Sequence, residues 1–494
     1  MSFKELQNGS DIRGVALDGI PGEEVNLTSA RARALGAAFT RWLSTKLNKS
    51  PAGLRIALGM DSRISGPVLK TAVLDGITGC GANAADCALA TTPAMFMTCV
   101  TSGFSFDASI MLTASHLPWN RNGMKFFTKS GGLDKTDITQ ILALAESGDF
   151  APAPVKGQVE SLDFMPVYAA MFTRMIRAAN GNVEQPLAGL RIVVDAGNGA
   201  GGFYASQVLA PLGADTAGSQ FLEPDGSFPN HAPNPENSEA MAAICRAVTA
   251  AQADLGIIFD TDVDRAAAVD AGGKPINRNR LIALAAAIVL EEHPKTAIVT
   301  DSITSDGLTT FIEQTLGGRH HRFKRGYKNV INEALRLNAA GEECWLAIET
   351  SGHAALKENY FLDDGAYLVT KILVKLAQLR RSGKSLGSLL ATLAESAESK
   401  EFRIAINATD FRAYGERVLH ELPAFAGVQP HWRLVPKNFE GVRVSVPGGW
   451  FLLRLSLHDP VMPLNIESDA AGGATAVYEQ LRGFLSAYEH LVLP

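Results

Sequence analysis

Cysteine is scarce in this sequence. There are five in 494 residues, Cys80, Cys87, Cys99, Cys245 and Cys344, an odd number with no C-x-x-C pair. That pattern excludes a disulfide framework and predicts reduced thiols, used as small core residues, in a cytosolic protein. A basic excess is also missing. The 45 Lys and Arg residues face 51 Asp and Glu, for a formal charge of −6. A protein built to grip nucleic acid carries the opposite balance, so no nucleic-acid partner is expected. A small anionic substrate needs only a local basic pocket. Long apolar runs are absent too. The Ala/Leu/Ile stretch at 281–290 is too short to span a bilayer. The opening residues, MSFKELQNGSDIRG, contain no apolar signal-peptide core. No membrane partner and a cytoplasmic location are the expectation. There is no low-complexity tract and no close internal repeat.

The rest of the composition is that of a globular protein, 46% hydrophobic and 19% charged. At roughly 100–200 residues per domain, the length suggests three or four domains. Several short apolar runs end in small or acidic residues: 54–58 (LRIAL), 190–194 (LRIVV), 255–259 (LGIIF) and 296–300 (TAIVT). They read as buried strands of parallel sheets with helices returning between them. Ligands in such sheets bind beyond the carboxyl ends of strands. Gly/Pro-rich breaks fall at 148–157, near 270–275 and near 382–384. The last hundred or so residues alternate more, at 443–447, 450–457 and 462–467, and end in a helical pattern over 474–488. That predicts a small α+β domain.

Four constellations carry chemistry. Thr113-Ala114-Ser115-His116-Leu117-Pro118 follows the strand-like run 108–112, and Asn122-Gly123-Met124-Lys125 comes shortly after. A serine hydroxyl needs a proton acceptor or a stabilised ester to act as a nucleophile. His116 lies beside the serine and Lys125, ten residues on, is suited to neutralise a phosphoryl group at Ser115, although the segment alone also reads as a helix-capping turn. Asp260-Thr261-Asp262-Val263-Asp264-Arg265 directly follows LGIIF. Its alternating carboxylates form a hard oxygen set suited to Mg²⁺ and repel one another without a cation. Arg265 has the forked donors that phosphate requires. Glu349-Thr350-Ser351-Gly352-His353, ahead of Asp363-Asp364-Gly365, combines groups able to hold sugar hydroxyls. Arg454, Ser456 and His458 alternate at the end of a strand-like run and suit a phosphate, or else form a cationic strand edge.

Together these segments resemble the α-D-phosphohexomutase superfamily, and within it the phosphomannomutase/phosphoglucomutase group. Gly9-Ser10-Asp11-Ile12-Arg13-Gly14, Gly59-Met60-Asp61-Ser62-Arg63, Asp195-Ala196-Gly197-Asn198-Gly199, Pro224-Asp225-Gly226-Ser227-Phe228-Pro229 and Gly326-Tyr327-Lys328 are similar to further family elements. The resemblance covers nearly the whole chain. It implies an α/β protein with three similar mixed α/β domains and a smaller C-terminal α+β domain around a central cleft. The expected domains are 1–157 (phosphoserine loop), 158–273 (metal loop), 274–395 (sugar loop) and 396–494 (phosphate loop).

It also implies Mg²⁺ held by Asp260, Asp262, Asp264 and the Ser115 phosphate, with Arg13, His116 and Lys125 near the transferred group. Arg265, Lys328, Glu349, Ser351, His353, Arg454, Ser456 and His458 would bind substrate. The implied reaction interconverts hexose 1- and 6-phosphates through phosphoserine and a sugar 1,6-bisphosphate, which also serves as activator. The general base stays open among Lys125, His353 and another residue. The oligomeric state expected is a monomer or homodimer. The fourth loop departs from the family's R-x-S-G/N-T-E-P at Leu457, His458 and Asp459, which bears on phosphate affinity. The S-G-H ending of the third loop favours both mannose and glucose substrates. Alternatives are a phosphoglucosamine mutase, a non-catalytic sugar-phosphate-binding relative, and a phosphatase using Asp260 and Asp262.

Overall fold

A computed structural model describes every residue except Met1, Asp149, Ala151, Leu457 and His458. The chain forms two compact units, Met1–Asn277 with Ser351–Gly387, and Arg278–Thr350 with Ser388–Pro494.

The first unit holds two sheets. In one, the strands lie in the order Gln7–Asn8, Asp11–Val15, Arg121–Thr128, Ala108–Leu112, Arg55–Met60, Asn83–Leu89, Val159–Ser161. Arg55–Met60 is parallel to both its neighbours, whereas Arg121–Thr128 is antiparallel to Ala108–Leu112. Every residue of Ala108–Leu112 is buried, including Ser109, whose hydroxyl donates to the Met95 carbonyl at 2.6 Å. Leu35, Phe39 and Leu43 of helix Ser29–Leu47 share a core with Ile56, Leu58, Ile110 and Phe126 of the sheet.

The second sheet has the order Pro275–Ile276, Ala266–Asp270, Leu255–Phe259, Ile192–Asp195. Leu255–Phe259 is parallel to Ile192–Asp195 but antiparallel to Ala266–Asp270. The expected helical return after LGIIF is therefore replaced by a hairpin. The stretch 260–265 is too short for a crossover, which takes a dozen or more residues. The carboxylates thus occupy a tight turn. Helix Ser238–Ala251 packs on this sheet through Ala240, Ile244 and Val248. An antiparallel pair, Ala354–Leu356 with Leu362–Asp363, and helix Gly365–Arg381 complete the unit.

In the second unit, Ala297–Thr300 lies parallel to both Arg319–Arg322 and Cys344–Ile348. The apolar run noted at 281–290 lies inside the helix Arg278–Glu292 and is buried throughout. Residues 388–494 build an antiparallel sheet ordered Arg433–Leu434, Val442–Val446, Gly449–Leu453, Val461–Ser468, Glu398–Ile406, Leu491–Val492. Val418 and Leu422 of helix Phe411–Gly427 and Leu481 of Gly473–Leu485 join Ile404, Phe451 and Leu464 in its core. No described helix is long and apolar enough to cross a membrane. No two cysteines pair, and burial pushes the Cys87 thiol up to about 12 and Cys99 up to about 11.

Candidate active site

Strand Ala108–Leu112 delivers its chain to Ser115, which adopts the left-handed conformation with φ 50°. A non-glycine residue there costs about 1–3 kcal/mol and persists only when its surroundings fix it. They do. The Ser115 amide donates to Thr113 Oγ1 at 2.9 Å, and Arg13 Nη1 donates to the Ala114 carbonyl at 2.9 Å. Arg63, with no exposed side-chain surface, donates to the carbonyls of Ser115, Leu117 (2.7 Å), Pro118 (2.7 Å) and Arg121 (2.9 Å). Its charge is met by Asp61 at 3.2 Å, a carboxyl that burial pushes up to about 6 against the pull of Arg63. Arg63→Ala leaves Asp61 buried without its charge partner and removes the guanidinium donors from four carbonyls. Such a break costs about 3–5 kcal/mol, which equilibrium chemical denaturation will read as a lowered midpoint.

The hairpin turn at 260–265 meets this loop. Ser115 Oγ donates to Asp260 Oδ2 at 3.0 Å and accepts from Arg265 Nη2 at 2.8 Å. Arg265 also binds Asp260 Oδ2 through Nε at 3.1 Å and donates to His116 Nδ1 at 2.7 Å. Since a guanidinium only donates, His116 Nδ1 is an acceptor and the ring is neutral. Burial, with Arg265 and Arg13 nearby, holds His116 down at about 3.

Asp260, Asp262 and Asp264 are all buried and each offers an oxygen within 4.8 Å of the others. Lys125 Nζ lies 3.1 Å from Asp262 Oδ2 and also pairs with Asp264. Burial pushes Asp260 well up, with Asp264 adding to the rise. Burial also raises Asp264, but Lys125, His353 and Arg265 outweigh it and hold that carboxyl below its ordinary range. Asp262 Oδ1 and Asp264 Oδ1 accept no hydrogen bond from the protein. The three acids outnumber Lys125 and Arg265, and two of their buried oxygens have no protein donor. A hard, oxygen-seeking cation fits that donor set.

His353 comes to the same turn through backbone. An isolated antiparallel bridge joins it to Arg265, and Ala266 N donates to Gly352 O at 3.3 Å. Gly352 has φ 96°, and a Cβ there would lie 2.7 Å from the Ala266 carbonyl, so the close approach requires glycine. Ser351 Oγ sits 2.9 Å from His353 Nδ1, and His353 Nε2 is 3.7 Å from Asp264 Oδ1. Burial lowers His353 to about 3.

The remaining expected residues lie in the second unit. Glu349 is buried and accepts from Gly326 N at 2.6 Å. Gly326, φ 117°, opens the helix Tyr327–Ala339, which carries Lys328 in its first turn. Arg454 is buried, its Nε donates to no protein acceptor, and burial lowers its pKa. Ser456 Oγ accepts from Asp459 N at 3.2 Å. His458 lies outside the described residues.

Several supporting residues carried no assigned role in the sequence. Thr92 donates from Oγ1 to Asp262 Oδ2 at 2.5 Å and from its amide to the Asp262 carbonyl at 2.9 Å. Nothing in T-T-P announces that contact. Asp301, at the end of Ala297–Thr300, accepts from Thr350 Oγ1 at 2.6 Å, and Glu440 accepts from Arg325 N at 3.2 Å. Asp301 could have been singled out as a polar residue ending a buried strand.

Fold and loop together place a serine hydroxyl, a carboxylate triad and basic side chains at the ends of α/β sheets. Comparison with known proteins makes this specific. Residues 4–152, 168–273 and 277–396 match the models of "Phosphoglucomutase/phosphomannomutase, alpha/beta/alpha" domains I, II and III respectively. A phosphomannomutase/phosphoglucomutase of Pseudomonas putida is 31% identical over 84% of this chain and 84% of its own. A phosphoglucomutase of Neisseria gonorrhoeae is 29% identical over 89% of this chain and 90% of its own. A solved phosphoglucomutase/phosphomannomutase family protein from Burkholderia thailandensis matches with TM-score 0.81 at 26% identity, covering 100% of both chains. The chain belongs to the phosphoglucomutase/phosphomannomutase family, mutases of the isomerase class that transfer phosphate within a molecule.

Proposed function

We propose that this enzyme interconverts hexose 1-phosphate and hexose 6-phosphate, with Ser115 as the phosphoryl carrier. The supporting observation is the Ser115 hydroxyl, fixed between Asp260 and Arg265 on the rim of the carboxylate triad. A phosphoryl group on Oγ passes to one hydroxyl of the bound sugar monophosphate, giving a 1,6-bisphosphate and free serine. The bisphosphate turns over and returns its other phosphate to Oγ. The transition state spreads negative charge over oxygens, so catalysis is positioning and electrostatics. Arg265 supplies donors at Oγ. Lys125, paired with two carboxylates, is fitted to offset charge rather than to take up a proton. Mg²⁺ held by Asp260, Asp262, Asp264 and a Ser115 phosphoryl oxygen would neutralise developing charge. Arg13 and His116 flank the carrier loop.

Glu349, Ser351 and His353 are assigned to the sugar hydroxyls, and Lys328, Arg454, Ser456 and His458 to the substrate's standing phosphate. Arg454→Ala should raise KM by about 10- to 100-fold with a smaller change in kcat, since a charge-assisted bond to a non-reacting phosphate is uniform binding. Steady-state kinetics will show the split. The function is tested with glucose 1-phosphate, mannose 1-phosphate and glucosamine 1-phosphate, each with its 1,6-bisphosphate as activator. Isomerisation of the glucose and mannose esters is expected. Turnover of the glucosamine ester alone, or phosphate release without isomerisation, would refute it.

A further inference from the structure

Residues 221–237 form a strap without helix or strand that leads into the helix Ser238–Ala251. It touches both guanidinium groups that hold Ser115. The Phe228 ring lies beneath Arg63, 5.3 Å from centroid to Cζ. Gly226 seats on the backbone beside it, where an added Cβ would lie 2.7 Å from the Arg63 carbonyl carbon. Further along, Asn234 Oδ1 accepts from Arg265 Nη1 at 3.2 Å. Arg63 grips the Ser115 carbonyl and Arg265 grips its hydroxyl.

The strap is anchored by His231. Its Nδ1 lies 2.9 Å from the Ala232 carbonyl, and its Nε2 lies 3.1 and 3.0 Å from the two oxygens of Asp195. A carbonyl only accepts, so Nδ1 carries a proton. Asp195 Oδ1 already accepts from Gly197 N at 2.9 Å, and Oδ2 from Gln220 Nε2 at 2.7 Å. Both oxygens thus already accept, and a protonated Nε2 is the ring form that completes these contacts. In that form the ring is an imidazolium on a fully buried carboxylate. The Ala232 carbonyl that meets Nδ1 also accepts from Asn234 N at 2.8 Å, which ties the anchor to the residue on Arg265.

We propose that His231, as an imidazolium locked on Asp195, is a positioning residue that fixes the strap against Arg63 and Arg265 and so sets the rate of phosphoryl transfer at Ser115. The inference rests on the carrier role proposed for Ser115. The charged groups facing the ring are Asp195, at the end of Ile192–Asp195, and Glu239, in the first turn of Ser238–Ala251, while Phe221 presents an edge at 5.2 Å. Burial pulls the imidazole down, but Asp195, the Ala232 carbonyl and Glu239 outweigh it and lift the group above its ordinary value. The anchor is therefore fully present at low pH and is lost as pH rises through that raised pKa.

The test loads the full-length enzyme with phosphate from glucose 1,6-bisphosphate, confirms phosphoserine by intact mass, and follows single-turnover transfer to glucose 1-phosphate across pH. In wild type the transfer rate should fall on the alkaline side of the histidine range. His231→Gln should remove that limb, lower kcat by about 10-fold and leave KM nearly unchanged, as a loss of positioning does. Asn234→Ala, which cuts the strap from Arg265 while keeping the anchor, should lower kcat similarly and serves if His231→Gln does not fold. Wild-type kcat in either folded variant, or an alkaline limb that survives His231→Gln, would overturn the positioning role. A wild-type enzyme that takes up no phosphate would instead overturn the carrier role.

Discussion

Ser115→Ala is expected to abolish stable phosphorylation and to lower mutase turnover by roughly 10⁴-fold or more, the scale of losing a covalent nucleophile. Oγ lies at the meeting point of Asp260 and Arg265. No other hydroxyl among the described residues is shown bonded to both. The variant should still fold, because Asp260 and Arg265 keep their mutual bonds at 3.0 and 3.1 Å when Oγ is removed. The backbone of residue 115 stays held by Arg63 and by Thr113. Intact mass after incubation with glucose 1,6-bisphosphate should show one phosphoryl group on wild type and none on the variant, with matching circular dichroism. Undiminished turnover in a coupled assay would defeat the phosphoserine reading and return the phosphatase alternative to consideration.

Asp262→Asn should raise the Mg²⁺ concentration for half-activation by at least about 10-fold and lower kcat by roughly 10²-fold or more. The substitution keeps the shape of the side chain and an acceptor for Thr92. It removes the charge that faces Lys125 and the orphaned oxygen, Asp262 Oδ1, that no protein group satisfies. Three carboxylates in a water-excluded turn create a standing demand for a cation, and two carboxylates with two basic side chains do not. Mg²⁺ titration of turnover, paired with calorimetric binding to the same protein, separates weaker binding from slower chemistry. An unchanged Mg²⁺ requirement would count against these aspartates as the metal site.

The strands ending at the reactive loops were legible because they are buried on both faces. Ala108–Leu112 and Leu255–Phe259 appear where their largely apolar runs placed them, with Ser115 and Asp260 just beyond. The path after Leu255–Phe259 was misjudged, since an apolar run fixes a strand but says nothing about the direction of the next one. Periodicity also gave no hint of the supports. Arg63 stood out only as part of a short motif, yet its guanidinium binds four carbonyls drawn from residues 115–121. Thr92 had no role assigned from the sequence and is bonded to Asp262. His231 sat beside a motif with no role assigned and is the anchor of the strap.

The sequence by itself determined the chemical inventory: a serine after a buried strand, alternating carboxylates, a basic residue beside them, and the α/β character of the units that carry them. These are local properties, written in residue type and spacing over a few positions. Only the tertiary structure decided which of them meet. Ser115 and Asp260 are far apart in sequence and 3.0 Å apart in space, and the protonation of His116 and His231 follows from the partners that folding supplies. Burial removes the water that would otherwise satisfy each charge, so the partner rather than the residue type fixes its state.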